Sequence, residues 1–254
     1  MRVHFRVAVA LCAVGFAAIM GGCGGGGDFG THSRHGGGSG RLLFSQDNNS
    51  NGLFQLDLGT GAATLVGTGA TATTSSTIGL TETADPTLLL GSTYLSIAEI
   101  ATDGSGATVI SGSADAEGLA MHIGTGVLFS AINEDFRTLD PTTGAVLTGL
   151  ATPPEDVEGL GVDPDGNVMY AVARFDTGFY VYDIGTNNWS QVGDTGIDWE
   201  DPGLAFDHLN GVAYATDAGT GSLYRIDPGT GAATLVGSLG TSTSAGGGVA
   251  FVVD

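Results

Sequence analysis

Residues Leu223–Gly237 read LYRIDPGTGAATLVG, and residues Leu53–Gly67 read LFQLDLGTGAATLVG. Nearly the same fifteen residues stand 170 positions apart in one chain. Each copy holds two short runs in which apolar side chains alternate, and period-two alternation puts side chains on the two faces of a strand. Between the runs stands an Asp, followed by Gly and Thr. There the Asp accepts backbone amides and the Gly takes a left-handed conformation. The stretch is a β-hairpin, and its recurrence makes it a repeat.

Weaker copies lie between the two. They are AEIATDGSGATVISG from Ala98, FRTLDPTTGAVLTGL from Phe136 and FYVYDIGTNNWSQVG from Phe179. Their starts at 53, 98, 136, 179 and 223 are spaced by 45, 38, 43 and 44 residues. Upstream of each hairpin stand two more strand-like runs, clearest in GLAFDHLNGVAYAT from Gly203, GLGVDPDGNVMYAV from Gly159 and GLAMHIGTGVLFSA from Gly118. A period near forty with four antiparallel strands per unit predicts the blade of a β-propeller. In the first run of each unit small residues alternate with large ones: Gly118 and Ala120, Gly159 and Gly161, Gly203 and Ala205. This run is read as the innermost strand, with the small residues placed where the strands crowd around the axis.

The chain ends on GGGVAFVVD, which holds only a first strand, whereas the segment from Arg41 lacks one. Joining them completes a blade. The fold predicted is all-β, a five-bladed propeller of four-stranded antiparallel blades closed by the C-terminal strand, with a six-bladed or open arrangement as the alternative. The two near-identical hairpins then belong to blades that are neighbours around the ring. The wording also resembles bacterial extracytoplasmic propeller repeats of the quinoprotein-like and NHL-like kind. That resemblance implies the fold; members of so broad a group bind, scaffold or catalyse.

Ahead of the repeats the chain reads as an address. Arg2 and Arg6 precede an apolar run from Val7 to Met20, then small residues and Cys23, the layout of a secretory signal peptide. Met20-Gly21-Gly22-Cys23 resembles the bacterial lipoprotein signal, in which cleavage precedes a Cys that carries lipid. A plain signal peptide with an incidental Cys is the alternative. The division expected is a removed signal at 1–22, a lipidated Cys23 and Gly-rich tether over 23–40, and the propeller over 41–254. Such a tether spans about 20 to 25 Å on average. The location expected is the cell envelope, extracytoplasmic, with the outer membrane or cell surface favoured. The other Cys, Cys12, lies within the removed segment, so no disulfide is expected in the body.

The net charge is -20, from 27 acidic residues against 7 Arg and no Lys. A surface so poor in cations cannot displace the counter-ions of a phosphate backbone, which argues against nucleic acid as a partner. A protein or glycan ligand remains. Before the first strands of three consecutive units stand Asp115 and Glu117, Asp156 and Glu158, and Glu200 and Asp201. These six carboxylates are expected at one mouth of the central channel, where like charges need relief from a cation or shared protons. Ca²⁺, which takes oxygen ligands, is the cation expected, and solvated acidic loops are the plainer alternative. The runs DAEGL and DVEGL are similar to entries of some calcium-holding, phytase-type propellers. Asp47–Gly52, DNNSNG, matches the start of a calcium loop but has Leu58 where the last ligand belongs. It reads as a polar turn.

The function expected is a lipid-anchored binding or scaffold module. The alternative is a hydrolase of glycans or phosphoesters using the same carboxylates, in which Trp199 would stack on a sugar; the plainer reading of Trp199 is a packing residue between blades. His122 and His208 fall at the opposite ends of the inner strands, so no Ser-His-Asp arrangement is expected.

Overall fold

The computed structural model describes residues 39–45, 52–69, 78–92, 96–111, 115–240 and 247–253. The signal segment, Cys23, the tether as far as residue 38 and Asp47 to Asn51 lie outside the described residues. Blade I contains β1 (Gly40–Ser45), β2 (Leu53–Leu56) and β3 (Ala63–Gly67). Blade II contains β4 (Gly79–Glu82), β5 (Leu88–Ser92), β6 (Ile97–Ala101) and β7 (Ala107–Ser111). Blade III contains β8 (Gly118–His122), β9 (Val127–Ile132), β10 (Asp135–Leu139) and β11 (Val146–Gly149). Blade IV contains β12 (Val157–Asp163), β13 (Val168–Ala173), β14 (Gly178–Asp183) and β15 (Asn188–Asp194). Blade V contains β16 (Gly203–Asp207), β17 (Val212–Asp217), β18 (Ser222–Ile226) and β19 (Ala233–Ser238). The last strand, β20 (Val249–Val253), returns to blade I and pairs antiparallel with β1, Leu42 opposite Phe251. The result is five sheets of four strands, a five-bladed β-propeller closed by its C-terminal strand.

The hairpin that repeats is built as its residues dictate. Asp57 accepts the amides of Gly59 at 3.0 Å and Thr60 at 2.8 Å through one carboxylate oxygen, and the Thr60 hydroxyl donates to the same atom at 2.9 Å. Asp227 repeats this on Gly229 and Thr230. The Thr60 hydroxyl bond, more than any other contact, holds the Asp57 carboxyl below the usual range. The two copies meet around the ring as expected. The amide of Ala63 donates to the carbonyl of Leu239 at 3.0 Å, and a Cβ on Gly61 would stand 2.5 Å from the Gly237 carbonyl oxygen.

Five apolar clusters fill the wedges between adjacent blades, one cluster for each pair. Between blades III and IV, for example, Phe129 and Phe136 face Leu160, Met169 and Tyr182, with Phe136 and Tyr182 edge to face at 4.9 Å between ring centres. The wedges stand between blades I and II, II and III, IV and V, and V and I.

The first runs do form the innermost strands, but their small residues face the next blade rather than the axis. A Cβ on Gly79 would lie 2.5 Å from the carbonyl oxygen of Glu117, and one on Gly118 would lie 2.7 Å from that of Glu158. Gly159 stands against the Leu204 backbone, Gly203 against the Gly247 carbonyl and Gly248 against the Leu80 amide. Every blade thus places a glycine where its successor's inner strand passes. What remains along the axis is a void of about 20 Å³ in contact with all five inner strands and another of about 10 Å³ nearer the acidic end. Spaces of that size hold about one water each.

Extra volume at these glycines must push two strands apart. Gly118→Ala is expected to lower the free energy of unfolding in urea by about 1 to 3 kcal/mol. Gly149→Ala, with open space around the new methyl, is expected not to lower it.

Candidate functional site

The acidic mouth is assembled by the segments entering β8, β12 and β16. Five of the six predicted carboxylates come together there. Glu117 feels the charges of Asp156 and Asp115, and Glu158 feels those of Asp201, Glu117 and Asp156. Glu200 is turned aside: its backbone amide donates to Asp217 at 2.7 Å, and its carboxylate runs along the β17–β18 turn, where a Cβ on Gly219 would meet it at 2.8 Å. Asp217 is buried and also accepts from the amide and hydroxyl of Thr220.

A cation does stand in this cluster, and the chain supplies it. Arg174, at the end of β13, reaches Glu158 at 3.6 Å through Nη1 and Asp201 at 3.2 Å through Nη2. Arg137 holds the other side, donating to the Asp115 carbonyl and pairing with Asp135 at 2.7 Å. Among the described residues no three His, Cys, Asp or Glu side chains stand in an arrangement that could hold a metal ion. Sequence reasoning singled out the carboxylates and passed over both arginines, because neither stands in the segments that enter the inner strands: Arg137 lies in β10 and Arg174 follows β13.

Burial dominates the electrostatics. Glu158 has a side chain only 6% exposed, and its carboxyl is pushed up to about 8 by desolvation and by Asp201, which together outweigh Arg174. Glu117 is raised by desolvation and by Asp156 and Asp115, against the Asn133 amide that donates to it at 3.4 Å. Asp156 is also raised by burial, with Arg174 opposing. One oxygen of Asp156 and the Nε of Arg174 are buried without a hydrogen-bond partner among the described residues.

Trp199 is fully buried and packs edge to face on Tyr224 at 5.5 Å. It is a wedge between blades IV and V and has no face to offer a sugar. The exposed aromatic is its neighbour across the loop, Phe175, whose amide donates to the Trp199 carbonyl at 2.8 Å. Phe175 is 68% exposed, has φ of 56°, and lies 4.7 Å beneath the Arg174 guanidinium. A bulky side chain in the left-handed region is an outlier. Position 175 reads in sequence as an ordinary loop residue, and only the fold puts it beside the carboxylates. His208 lies at the opposite mouth, as expected.

No protein-family model matches the chain, and no curated protein matches it. Among solved structures it is similar to a chain of the crystal structure of the nidogen/laminin complex, at 14% identity and a TM-score of 0.57, covering 84% of this chain and 98% of that one. It is also similar to a structural-genomics protein of unknown function from Bacteroides thetaiotaomicron VPI-5482, at 12% identity and a TM-score of 0.47, covering 78% of this chain and 50% of that one. At these identities the first likeness shows the fold alone.

The raised Glu158 carboxyl has a definite sign in stability. Between its ordinary value near 4.5 and its folded value near 8 the folded chain holds a proton the unfolded chain has released. Stability therefore falls as pH rises through that window and levels off above it. Glu158→Gln is expected to melt close to the parent at pH 5 and about 5 °C above it at pH 9. An equal difference at both pH values would mean that the buried charge is not the cause.

Proposed function

We propose that the chain is a lipid-anchored, extracytoplasmic binding module that captures its partner on the acidic mouth around Phe175. The observation that carries the reading is Phe175: an aromatic ring two-thirds exposed, set in an unfavourable backbone conformation, and surrounded by more carboxylate than its one guanidinium neutralises. Exposed aromatic side chains are the residues on which binding energy concentrates. The buried, unpartnered atoms of Asp156 and Arg174 add a donor and an acceptor beside it. The acidic surplus favours a protein partner with basic side chains, because complementary charge steers encounter.

The resemblance of residues 20–23 to a lipoprotein signal supports the anchor, and the Gly-rich stretch after Cys23 supports a body held off a membrane. The cation that the sequence suggested has less to do once Arg174 stands between Glu158 and Asp201. We propose accordingly that Ca²⁺ and chelator leave the melting point alike in the parent chain, and that Arg174→Gln lowers it in a way Ca²⁺ partly restores.

One observation favours the hydrolase reading: Glu158, a carboxyl raised to about 8, stands close to a second carboxyl, Asp201, and glycoside hydrolysis uses a pair of carboxyl groups. Against it stands Glu158 itself, whose side chain is 94% buried and which lines a void of about 10 Å³. Chromogenic glycosides and phosphoesters are expected to give no turnover, and turnover abolished by Glu158→Gln would replace the binding reading with the enzymatic one.

Two measurements test the proposal. A photo-crosslinking side chain at position 175 in intact cells is expected to give a discrete adduct that the same side chain at Val146, on the outer edge, does not; no adduct at 175 would overturn the docking site. Cys23→Ser is expected to move the chain from the membrane fraction to the soluble one, and retention in the membrane would overturn the anchor.

A further inference from the structure

The mouth opposite the acidic one carries a second feature, independent of the Phe175 face. A cavity of about 170 Å³ opens there between the turns of four blades. Its apolar walls include Pro86, Ile123, Val252 and Val253, and its two ionisable groups are Glu82 and His208. Glu82 ends β4 and lines both this cavity and the axial void of about 20 Å³. Among the described residues no hydrogen bond or ion pair reaches its carboxyl. Desolvation alone pushes that carboxyl up to about 8, so no neighbouring charge offsets its burial. The neighbouring polar groups are engaged elsewhere. The Thr83 hydroxyl donates to the carbonyls of Asp85 and Leu88, and Asp85 accepts from the amide and hydroxyl of Thr87.

Glu82 is half-buried where it meets the cavity; a carboxyl partly removed from water with no partner beside it is costly, and such groups concentrate at functional sites. The chain has no Lys, Arg137 and Arg174 are engaged at the other mouth, and no Arg lines the cavity among the described residues. A partner can come from outside. It must carry a donor-rich positive head small enough for a space about the size that holds one benzene ring, with an aliphatic stem to lie against Pro86, Ile123 and the two valines.

We propose that this cavity is a binding site for a primary alkylammonium group, which pairs with Glu82 and buries its stem among the apolar walls. A free small amine and a lysine side chain of a partner share that chemistry. Binding releases the Glu82 proton, so the site tightens as pH rises. Other titratable groups come from the elements packed around it. His208, from the β16–β17 turn, shares the cavity wall. Asp85, from the β4–β5 turn, is held below the ordinary range by the Thr87 hydroxyl and amide and stays ionised. His122, ending β8, is buried, and β20 brings only Val252 and Val253 to the wall.

The test is the dissociation constant of n-butylammonium chloride for the full chain, read by calorimetry at pH 6, 7 and 8, with sodium chloride and n-butanol as controls. The expected result is a constant that falls about tenfold from pH 6 to 7 and about fivefold from pH 7 to 8, as the carboxyl passes from mostly protonated to half ionised, and no binding of n-butanol. Glu82→Gln is expected to abolish binding. Ala84→Leu, which narrows the cavity from an exposed turn without touching Glu82, is expected to weaken it at least tenfold. Equal binding of n-butanol, binding unchanged in Glu82→Gln, or none at pH 8 would overturn the proposal. Running Nα-acetyl-lysine amide in parallel separates the sources: binding as tight as n-butylammonium marks a lysine side chain, and binding of n-butylammonium alone marks a free amine.

Discussion

Everything in this molecule depends on how closely five strands can approach one another around an axis. A blade is a twisted four-stranded sheet, and five of them close into a ring only if the inner edges come nearer than two side-chain-bearing strands allow. The glycines at 79, 118, 159, 203 and 248 provide that approach, each set against the backbone of the next blade's inner strand. The alternate residues, Leu80, Leu119, Leu160, Leu204 and Val249, point the other way and fill the wedge behind. One face of each inner strand is therefore bare and the other large, and the fit of bare face to large face is repeated five times without a seam. Thr81 adds a polar version of the same contact, accepting the Met121 amide through its hydroxyl at 2.8 Å.

So tight an axis leaves no interior chamber, and this decides where chemistry can occur. The voids along the axis are water-sized, and the carboxyls with the largest upward shifts stand at the two mouths. Each mouth has one carboxyl raised to about 8, Glu158 at one and Glu82 at the other, and each lines an axial void. Their surroundings differ. Glu158 has Arg174 and a ring of further acids, whereas Glu82 has apolar walls. A chain with seven basic residues and a charge of -20 cannot neutralise both ends internally.

Much of this was legible in the sequence because repetition carries it. The hairpin at Leu223–Gly237 spells its own turn, since Asp227 and Gly231 are required by a backbone that must reverse at that point. Ring closure was legible from the arithmetic of strands, one surplus at the end of the chain and one missing at its start. The position of the acids before the inner strands was legible for the same reason. Features that depend on one blade meeting another were not. Nothing local says that Gly118 faces Glu158 of the next blade rather than the axis. Arg174 and Phe175 lie in blade IV and Asp201 enters blade V, so their meeting is a property of the ring. Trp199 packs in the wedge between blades IV and V, the plainer of its two readings, whereas nothing in the sequence marks Phe175 as the aromatic exposed beside the acids.

Glu82 shows the limit most clearly. It sits in the least regular unit, where neither neighbouring charges nor a motif draws notice, and a single Glu closing a short strand reads as a solvated end. Its surroundings come from the β8–β9 and β16–β17 turns and from the last strand, segments about 40, 125 and 170 residues further along the chain. Only after the C-terminal strand has closed the ring do Val252 and Val253 stand beside it and narrow its contact with water. The strand that completes the fold thus also creates the second mouth, and the desolvation of Glu82 is a consequence of closure rather than of any local pattern. A chain with β20 displaced would return that carboxyl to solvent and to an ordinary titration, which ties the chemistry of this mouth to the integrity of the whole ring.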